Sequence, residues 1–190
     1  IPRITARHPP EATVEDSYAI QGVWRDAQVA AGRTLVGRKI GLTSKAMQQA
    51  TGITEPDYGV MFDDTVYPSG SEIPPTENFS NVRIEVELAF VLKEPPLSGP
   101  DCTLEDALAA IDYAVPRARG AELAHRARGG AHDRGHDQRQ RRLRGAMVLG
   151  TVHKRPDEID LRWVPGGVLS RNGEIEETGV AAGVLGHPAT

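Results

Sequence analysis

The chain lacks the features that mark secreted and membrane-spanning proteins. Cys102 is the one cysteine in 190 residues, which excludes an intrachain disulfide framework and leads us to expect a reducing, cytoplasmic location. No apolar run reaches the roughly eighteen residues of a membrane span. The start has neither a methionine nor the apolar core of a signal peptide, and the end follows directly on an apolar run. We therefore expect both ends to be cuts within a longer protein.

Charge is distributed unevenly along the chain. Residues 117–145 hold nine of the eighteen arginines against three acidic residues, whereas the rest has 13 basic and 23 acidic residues. An arginine cluster can bind phosphate with salt-dependent affinity, so an arginine-rich nucleic-acid-binding module is one hypothesis. No aromatic residue interrupts the segment and the acidic remainder opposes nucleic acid, so we expect no nucleic-acid partner. A transition-metal site at the string HDRGHD and a solvated loop are the other hypotheses.

Hydrophobic periodicity predicts a strand-rich, mixed α/β fold. A capping box of Thr13 and Asp16 begins a predicted helix with an apolar stripe at Tyr18, Val23, Trp24 and Ala27. A short strand around residue 39 follows, and then a short helix that Thr43 or Ser44 would cap and Gly52 would end. Alternation over 82–92 predicts a strand with one apolar face, and a capped helix then leads into a strand before residue 116. Strands are also expected at 146–154 and 159–164, with a hairpin over 168–179. The strands do not alternate regularly with helices, so a doubly wound sheet is not expected.

Two glutamates on the predicted strand form a candidate metal site. Glu85 and Glu87 project from the same face, about 6.5–7 Å apart along the backbone. Both can converge on a hard cation such as Mg²⁺, which prefers carboxylate oxygens and water. A solvated strand face would show the same alternation. Lys39, between glycines, could act as an acid/base group, anchor an anion or lie on the surface. Asp57 is by itself most simply a turn residue.

Several strings, in order along the chain, resemble one enzyme family. They are GRKIGLTSKAM, EPDYGVMFDD, RIEVELAFVL, DLRWV and RNGEIEETGVAAGVL. They cover roughly 13–116 and 145–190 and resemble the 2-keto-4-pentenoate hydratase group of the fumarylacetoacetate hydrolase superfamily. The resemblance implies a rolled, mixed β-sheet or barrel with a helical N-terminal part. We predict that 1–52 is this helical part, and that 53–190 is a truncated β-rich catalytic domain containing an aberrant basic segment at 117–144.

The resemblance also implies a metal-dependent hydro-lyase. Glu85 and Glu87 would bind Mg²⁺ or Mn²⁺, and Lys39 and Asp57 would move protons. Water would add to a 2-oxo dicarboxylic acid, 2-oxohept-3-ene-1,7-dioate, giving 4-hydroxy-2-oxoheptanedioate in the catabolism of homoprotocatechuate or 4-hydroxyphenylacetate. Hydration of 2-hydroxypenta-2,4-dienoate and decarboxylation of 4-oxalocrotonate are alternatives with the same metal–enolate chemistry. Members of the family form homo-oligomers, so we expect an oligomer. We also expect no membrane partner.

The basic segment stands where the family has other strings. The family pattern places PALE, with a third metal-binding glutamate, where this chain has Pro116 to Arg119, and DTISDNAA further on. The codons implied by the chain permit both strings when they are read one nucleotide later. We therefore interpret 117 to about 144 as an out-of-frame reading. Because Arg119 replaces the third glutamate, we expect weak metal binding. We also expect the chain to lack the family strand after Pro116 and the strands and active-site residues that the family has after the string HPA, so we expect poor folding and an inactive chain.

Overall fold

The structure is a computed structural model that describes residues 13–73, 82–94, 99, 101–122, 145–163 and 166–190. Its helices are α1 Val14–Ala30, α2 Lys45–Thr51 and α3 Leu104–Ala110, with short 3-10 turns at Asp63–Thr65 and Ala181–Gly183. Its strands are β1 Leu35–Gly41, β2 Asp57–Phe62, β3 Val66–Pro68, β4 Val82–Leu92, β5 Ile111–Glu122, β6 Gly145–Leu149, β7 Gly166–Arg171 and β8 Glu174–Val180.

The described strands form one four-stranded sheet and two strand pairs. The larger sheet has the order β3-β6-β5-β4, in which only β3 and β6 run parallel. β1 pairs antiparallel with β2, and β7 pairs antiparallel with β8. The predicted strand-rich mixed class is confirmed, and these strands do not close into a barrel. The division into parts at residue 52 stays a prediction.

The predicted helix boundaries are confirmed by their caps. Thr13 and Asp16 form the expected capping box of α1, and Ser44 caps α2. Gly52 ends α2 in the left-handed conformation that glycine adopts without strain. A second capping box, Thr103 with Asp106, begins α3. Local side-chain-to-backbone hydrogen bonds therefore determine where the helices begin.

The predicted apolar stripe of α1 is wrong at Val23, which is 73% exposed, and at Ala27, which is also exposed. The buried residues of the helix are Ser17 and Gln21. They lie on one face with Trp24, because positions i, i+4 and i+7 are neighbours on a helix. This face rests on β2, where the Trp24 ring meets the Phe62 ring edge-on at a centroid distance of 5.6 Å.

The basic segment begins inside a strand. β5 continues past Pro116 to Glu122 and pairs with β4 along its length. The predicted loss of the strand after Pro116 is therefore wrong. The reason is that sheet pairing uses backbone groups, and the alternating Arg-Ala-Arg sequence still satisfies the two-residue period of a strand.

Two further strand predictions need correction, and both concern the core. The string at 159–164 forms turns over 161–163 instead of a strand, but its Leu161 is buried against Ile111 and Ala114. Leu88 and Phe90 of β4 pack on this cluster. The remaining apolar residues of the predicted β4 face are exposed: Ile84, Val86 and Leu92. A two-residue period marks the strand but not which part of its face is covered.

The predicted hairpin is confirmed. β7 and β8 flank Asn172 and Gly173, whose φ angles of 54° and 90° are those that a type I′ turn requires.

Among the described residues, no helix is long and apolar enough to cross a membrane.

Candidate active site

Lys39 and Asp57 lie on the same face of the β1–β2 pair. In the antiparallel register Lys39 is opposite Gly59 and Gly41 is opposite Asp57, so Lys39 and Asp57 are diagonal neighbours. Lys39 is 8% exposed and Asp57 is 2% exposed. Asp57 is the first residue of β2 and not the turn residue that its surroundings in the sequence indicated.

Gly59 leaves room for the lysine side chain. A Cβ atom built on Gly59 would lie 2.9 Å from Cε of Lys39, closer than side chains approach each other. The lysine stem therefore crosses directly over the glycine backbone. Its burial beside a buried carboxyl-bearing residue makes Lys39 a candidate for proton transfer instead of a surface cation.

The other face of β2 is covered by α1. The ring of Tyr18 stacks on that of Tyr58 at 4.2 Å, and the Gln21 side-chain amide donates to the carbonyl oxygen of Tyr58 at 3.2 Å. Side chains alternate along a strand, so Asp57 and Met61 face away from this helix. The helix therefore fixes the strand without occupying the face that carries the candidate catalytic residues.

Glu85 and Glu87 lie on β4, and both are half-buried. Their alternation places them on one face, as predicted. In the β4–β5 register Glu85 is opposite Arg119 and Glu87 is opposite Arg117. Each predicted metal-binding glutamate therefore has an arginine at the position directly across from it.

Arg117 forms a buried ion pair with Glu87. The arginine is 7% exposed. Its Nε donates to Glu87 Oε2 at 2.5 Å, and its Nη2 pairs with the same oxygen. Its Nη1 approaches the sulfur atoms of Met147 at 3.0 Å and Met61 at 3.3 Å. The guanidinium thus has one carboxylate partner and two soft sulfur contacts.

Met61 connects the two groups of candidate residues. It lies on β2 opposite Gly37, on the face shared with Asp57 and with Lys39 of β1. Its sulfur contacts Arg117, which pairs with Glu87. The face that carries Lys39 and Asp57 is therefore joined through Met61 and Arg117 to Glu87 of β4.

The described residues do not fit a divalent ion at this site. Glu85 and Glu87 have the oxygen donors that Mg²⁺ prefers. Glu87, however, is paired with the Arg117 guanidinium. Within the ranges that the structure describes, no three His, Cys, Asp or Glu side chains come together as a metal-binding group. The predicted HDRGHD metal site lies outside the described residues.

Sequence reasoning missed Arg117 as a site residue. The signal was present in the spacing, because Arg117 and Arg119 are two residues apart, as Glu85 and Glu87 are. Only the register of β5 against β4 shows that the two pairs are opposite each other. The contact of Met61 with the guanidinium had no signal in the sequence.

The chain is similar to several enzymes that act on small oxo acids. It is 50% identical over 190 residues to the 2-oxo-hept-4-ene-1,7-dioate hydratase of Escherichia coli, covering 95% of this chain and 68% of that protein. It is 36% identical to the 2-keto-4-pentenoate hydratase of Paraburkholderia xenovorans LB400, covering 94% of this chain and 65% of that protein. The chain thus spans about two thirds of the length of these relatives. No protein-family model matches it.

Solved structures show the same relationship. The 4-oxalocrotonate decarboxylase from Pseudomonas putida G7, complexed with calcium and acetate, superposes with a TM-score of 0.85 at 33% identity. The match covers all of this chain and 69% of that one. The same enzyme complexed with magnesium and adipate gives a TM-score of 0.82 at 31% identity. The fold is therefore that of a fumarylacetoacetate-hydrolase-type enzyme, and the chain belongs to the family of 2-keto-4-pentenoate hydratases and 4-oxalocrotonate decarboxylases.

Proposed function

We propose that the chain is a hydro-lyase of this family, in a copy whose metal site is impaired. Its substrate is a seven-carbon 2-oxo dicarboxylic acid, 2-oxohept-3-ene-1,7-dioate, which takes up water to give 4-hydroxy-2-oxoheptanedioate. The 50% identity to a hydratase of this substrate class carries the proposal. We further propose a cytoplasmic, homo-oligomeric enzyme of aromatic-compound catabolism.

The burial of Lys39 and Asp57 supports proton-transfer roles for both residues. Adding water across a conjugated double bond requires a proton to be delivered to one carbon and another to be removed from water. Lys39 and Asp57 lie on one buried face, where a positioned ammonium and a carboxyl group can exchange protons with a bound substrate. Lys39 can also hold the substrate carboxylate as an anion partner.

In this proposal, a complete site for a divalent metal ion forms only after the third carboxylate has been restored to β5. With Arg117→Ala and Arg119→Glu the strand would carry a third carboxylate opposite Glu85, and Arg117 would no longer be paired with Glu87. Three carboxylates suit Mg²⁺ or Mn²⁺, because both are hard cations with oxygen ligands. Binding of a divalent ion to the chain as it stands requires the displacement of Arg117.

The proposal is tested by assaying two purified proteins, the chain as given and the variant with Arg117→Ala, Ala118→Leu and Arg119→Glu. The substrate is 2-oxohept-3-ene-1,7-dioate, and loss of enone absorbance in the presence of Mg²⁺ is the readout. We expect turnover only from the triple variant. Adding Lys39→Met or Asp57→Asn to the triple variant should lower its kcat by about 100-fold or more. Turnover by the unchanged chain at a normal enzyme rate would contradict the impairment. A folded triple variant without turnover would contradict the hydratase.

Decarboxylation is the second candidate, because the superposed structures are 4-oxalocrotonate decarboxylases. The two reactions differ in their products. Incubation of the triple variant with 4-oxalocrotonate and measurement of released CO₂ separates them. Release of CO₂ without hydration of the seven-carbon substrate would favour the decarboxylase.

A further inference from the structure

Two strands carry matched opposite charges. β4 has Glu85 and Glu87, and β5 has Arg119 and Arg117 at the positions directly opposite. Residues opposite each other in an antiparallel pair are cross-strand neighbours. Two acidic and two basic residues therefore occupy facing register positions, and their formal charges sum to zero.

The Arg117–Glu87 pair is built into the interior. The arginine side chain is 6% exposed and the glutamate side chain is 21% exposed. A buried charge is costly unless it is paired and hydrogen-bonded. Two guanidinium nitrogens meet Glu87 Oε2, and the sulfur atoms of Met61 and Met147 contact the third. The surroundings therefore hold the guanidinium in place.

A divalent ion would meet two obstacles here. Mg²⁺ and Mn²⁺ take oxygen ligands, and Oε2 of Glu87 already accepts from Arg117. An ion held by Glu87 would also lie beside a fixed positive charge, and like charges repel strongly where water is scarce. Both obstacles arise from one side chain.

We propose that Arg117 is the built-in counter-cation of Glu87 and that its guanidinium keeps divalent metal ions off this carboxylate. The guanidinium occupies the electrostatic role that a metal ion has in an intact site. This inference concerns ion binding alone and does not depend on which reaction the family member performs.

The test measures Mn²⁺ binding by electron paramagnetic resonance and by calorimetry, with no substrate present. The chain as given is compared with Arg117→Ala and with Arg117→Ala/Glu87→Gln. We expect no saturable binding by the chain as given. Arg117→Ala should bind one ion saturably, a gain of about 100-fold or more over the chain as given, which is the upper end of the range by which groups around metal ligands change affinity. Glu87→Gln should abolish that gain.

A matched control removes an arginine from an exposed ion pair. Arg155 pairs with Asp157 at 2.7 Å, and both side chains are mostly exposed. Arg155→Ala alters the net charge as Arg117→Ala does, but it should leave Mn²⁺ binding unchanged. Gain of binding in this variant would show that net charge and not the buried pair controls affinity, which overturns the proposal.

A second variant guards against misfolding. Arg117→Met keeps an unbranched chain beside the sulfur atoms of Met61 and Met147, and it removes the charge from Glu87. If Arg117→Ala unfolds by circular dichroism, Arg117→Met is measured in its place. Saturable Mn²⁺ binding by the chain as given, lost with Glu87→Gln, would overturn the proposal. So would a folded variant without Arg117 that gains no binding.

Discussion

At the scale of the residue, the ion pair of Arg117 and Glu87 affects the stability of the fold as well as the binding of metal ions. Its two members come from neighbouring strands, and Met61 connects it to β2. Ion pairs on a surface contribute little, because water solvates both partners and salt screens them. Removal of one partner from a buried pair leaves the other charge without compensation.

Glu87→Gln should therefore destabilise the chain. The substitution leaves the buried Arg117 guanidinium without its carboxylate, and we expect a loss of about 3 kcal/mol in the free energy of unfolding. Urea denaturation followed by circular dichroism measures this. Asp157→Asn, which breaks the exposed pair with Arg155, should have no measurable effect. Equal effects of the two substitutions would contradict the burial argument.

The candidate residues differ in how far the sequence predicted them. Alternation was sufficient to place Glu85 and Glu87 on one face of a strand. Lys39 and Asp57 were singled out by family resemblance, because a lysine between glycines and an aspartate after a proline have many structural uses. Their shared face required the β1–β2 register, which depends on a pairing between distant segments. Their catalytic roles stay predictions.

At the scale of the element, α1 contains a glycine that no contact requires. A Cβ atom on Gly22 would meet nothing within 4 Å, and the residue lies in the helix interior. Gly22→Ala should stabilise the protein by about 1 kcal/mol, because alanine loses less backbone entropy in a helix. Thermal unfolding measures the gain.

Gly32, just after the same helix, gives the matched control. A Cβ atom on Gly32 would also meet nothing within 4 Å, but the φ angle of Gly32 is +95°. Alanine is strained in that conformation, so Gly32→Ala should lower the melting temperature. If Gly22→Ala and Gly32→Ala shifted stability in the same direction, the backbone explanation would fail.

The capping box of α3 makes stability depend on acid pH. The Thr103 hydroxyl donates to Asp106 Oδ2 at 2.6 Å and the Thr103 backbone N–H donates to it at 2.9 Å. These hydrogen bonds lower the pKa of Asp106 below its usual 3.8. A carboxyl group with a lowered folded pKa stabilises the fold above its unfolded pKa, and this contribution disappears as pH falls through the folded value.

The measurement is an NMR titration of the Asp106 carboxyl carbon. We expect a midpoint below 3.8 in the chain as given and a higher midpoint in Thr103→Ala. Because Thr103→Ala removes the hydroxyl but keeps the backbone N–H, the pKa should return only part of the way. An unchanged midpoint would show that the hydroxyl does not hold the pKa down.

Elements were predicted where their signal is local. Caps mark helix starts through contacts within four residues, so the starts of α1, α2 and α3 were predicted correctly. Two-residue turns mark hairpins, so the β7–β8 hairpin was predicted correctly as well. The segment 159–164 was misread because its apolar residues serve a packed turn, as Leu161 does. The continuation of β5 past Pro116 was missed because its partner strand, not its own composition, maintains it.

At the scale of the whole molecule, charge opposes the nucleic-acid hypothesis. The chain carries a net charge of −4, although nine arginines lie in one segment. We expect no binding of a labelled single-stranded oligonucleotide at about 150 mM salt, since phosphate contacts weaken steeply with salt. Fluorescence anisotropy over a salt series measures this. Saturable binding at that salt, lost when the arginines of 126–144 become serine, would revive the hypothesis.

The register of β5 against β6 has a consequence for the chain that connects them. Ala121 lies opposite Gly145, so the ends of the two strands already meet. The free energy of closing a loop rises only with the logarithm of its length, about 0.6 kcal/mol for each doubling. The sheet can therefore carry a long connection at nearly the same entropic cost as a moderate one. Among the described residues, the altered sequence therefore affects the sheet within β5, where Arg117 is buried.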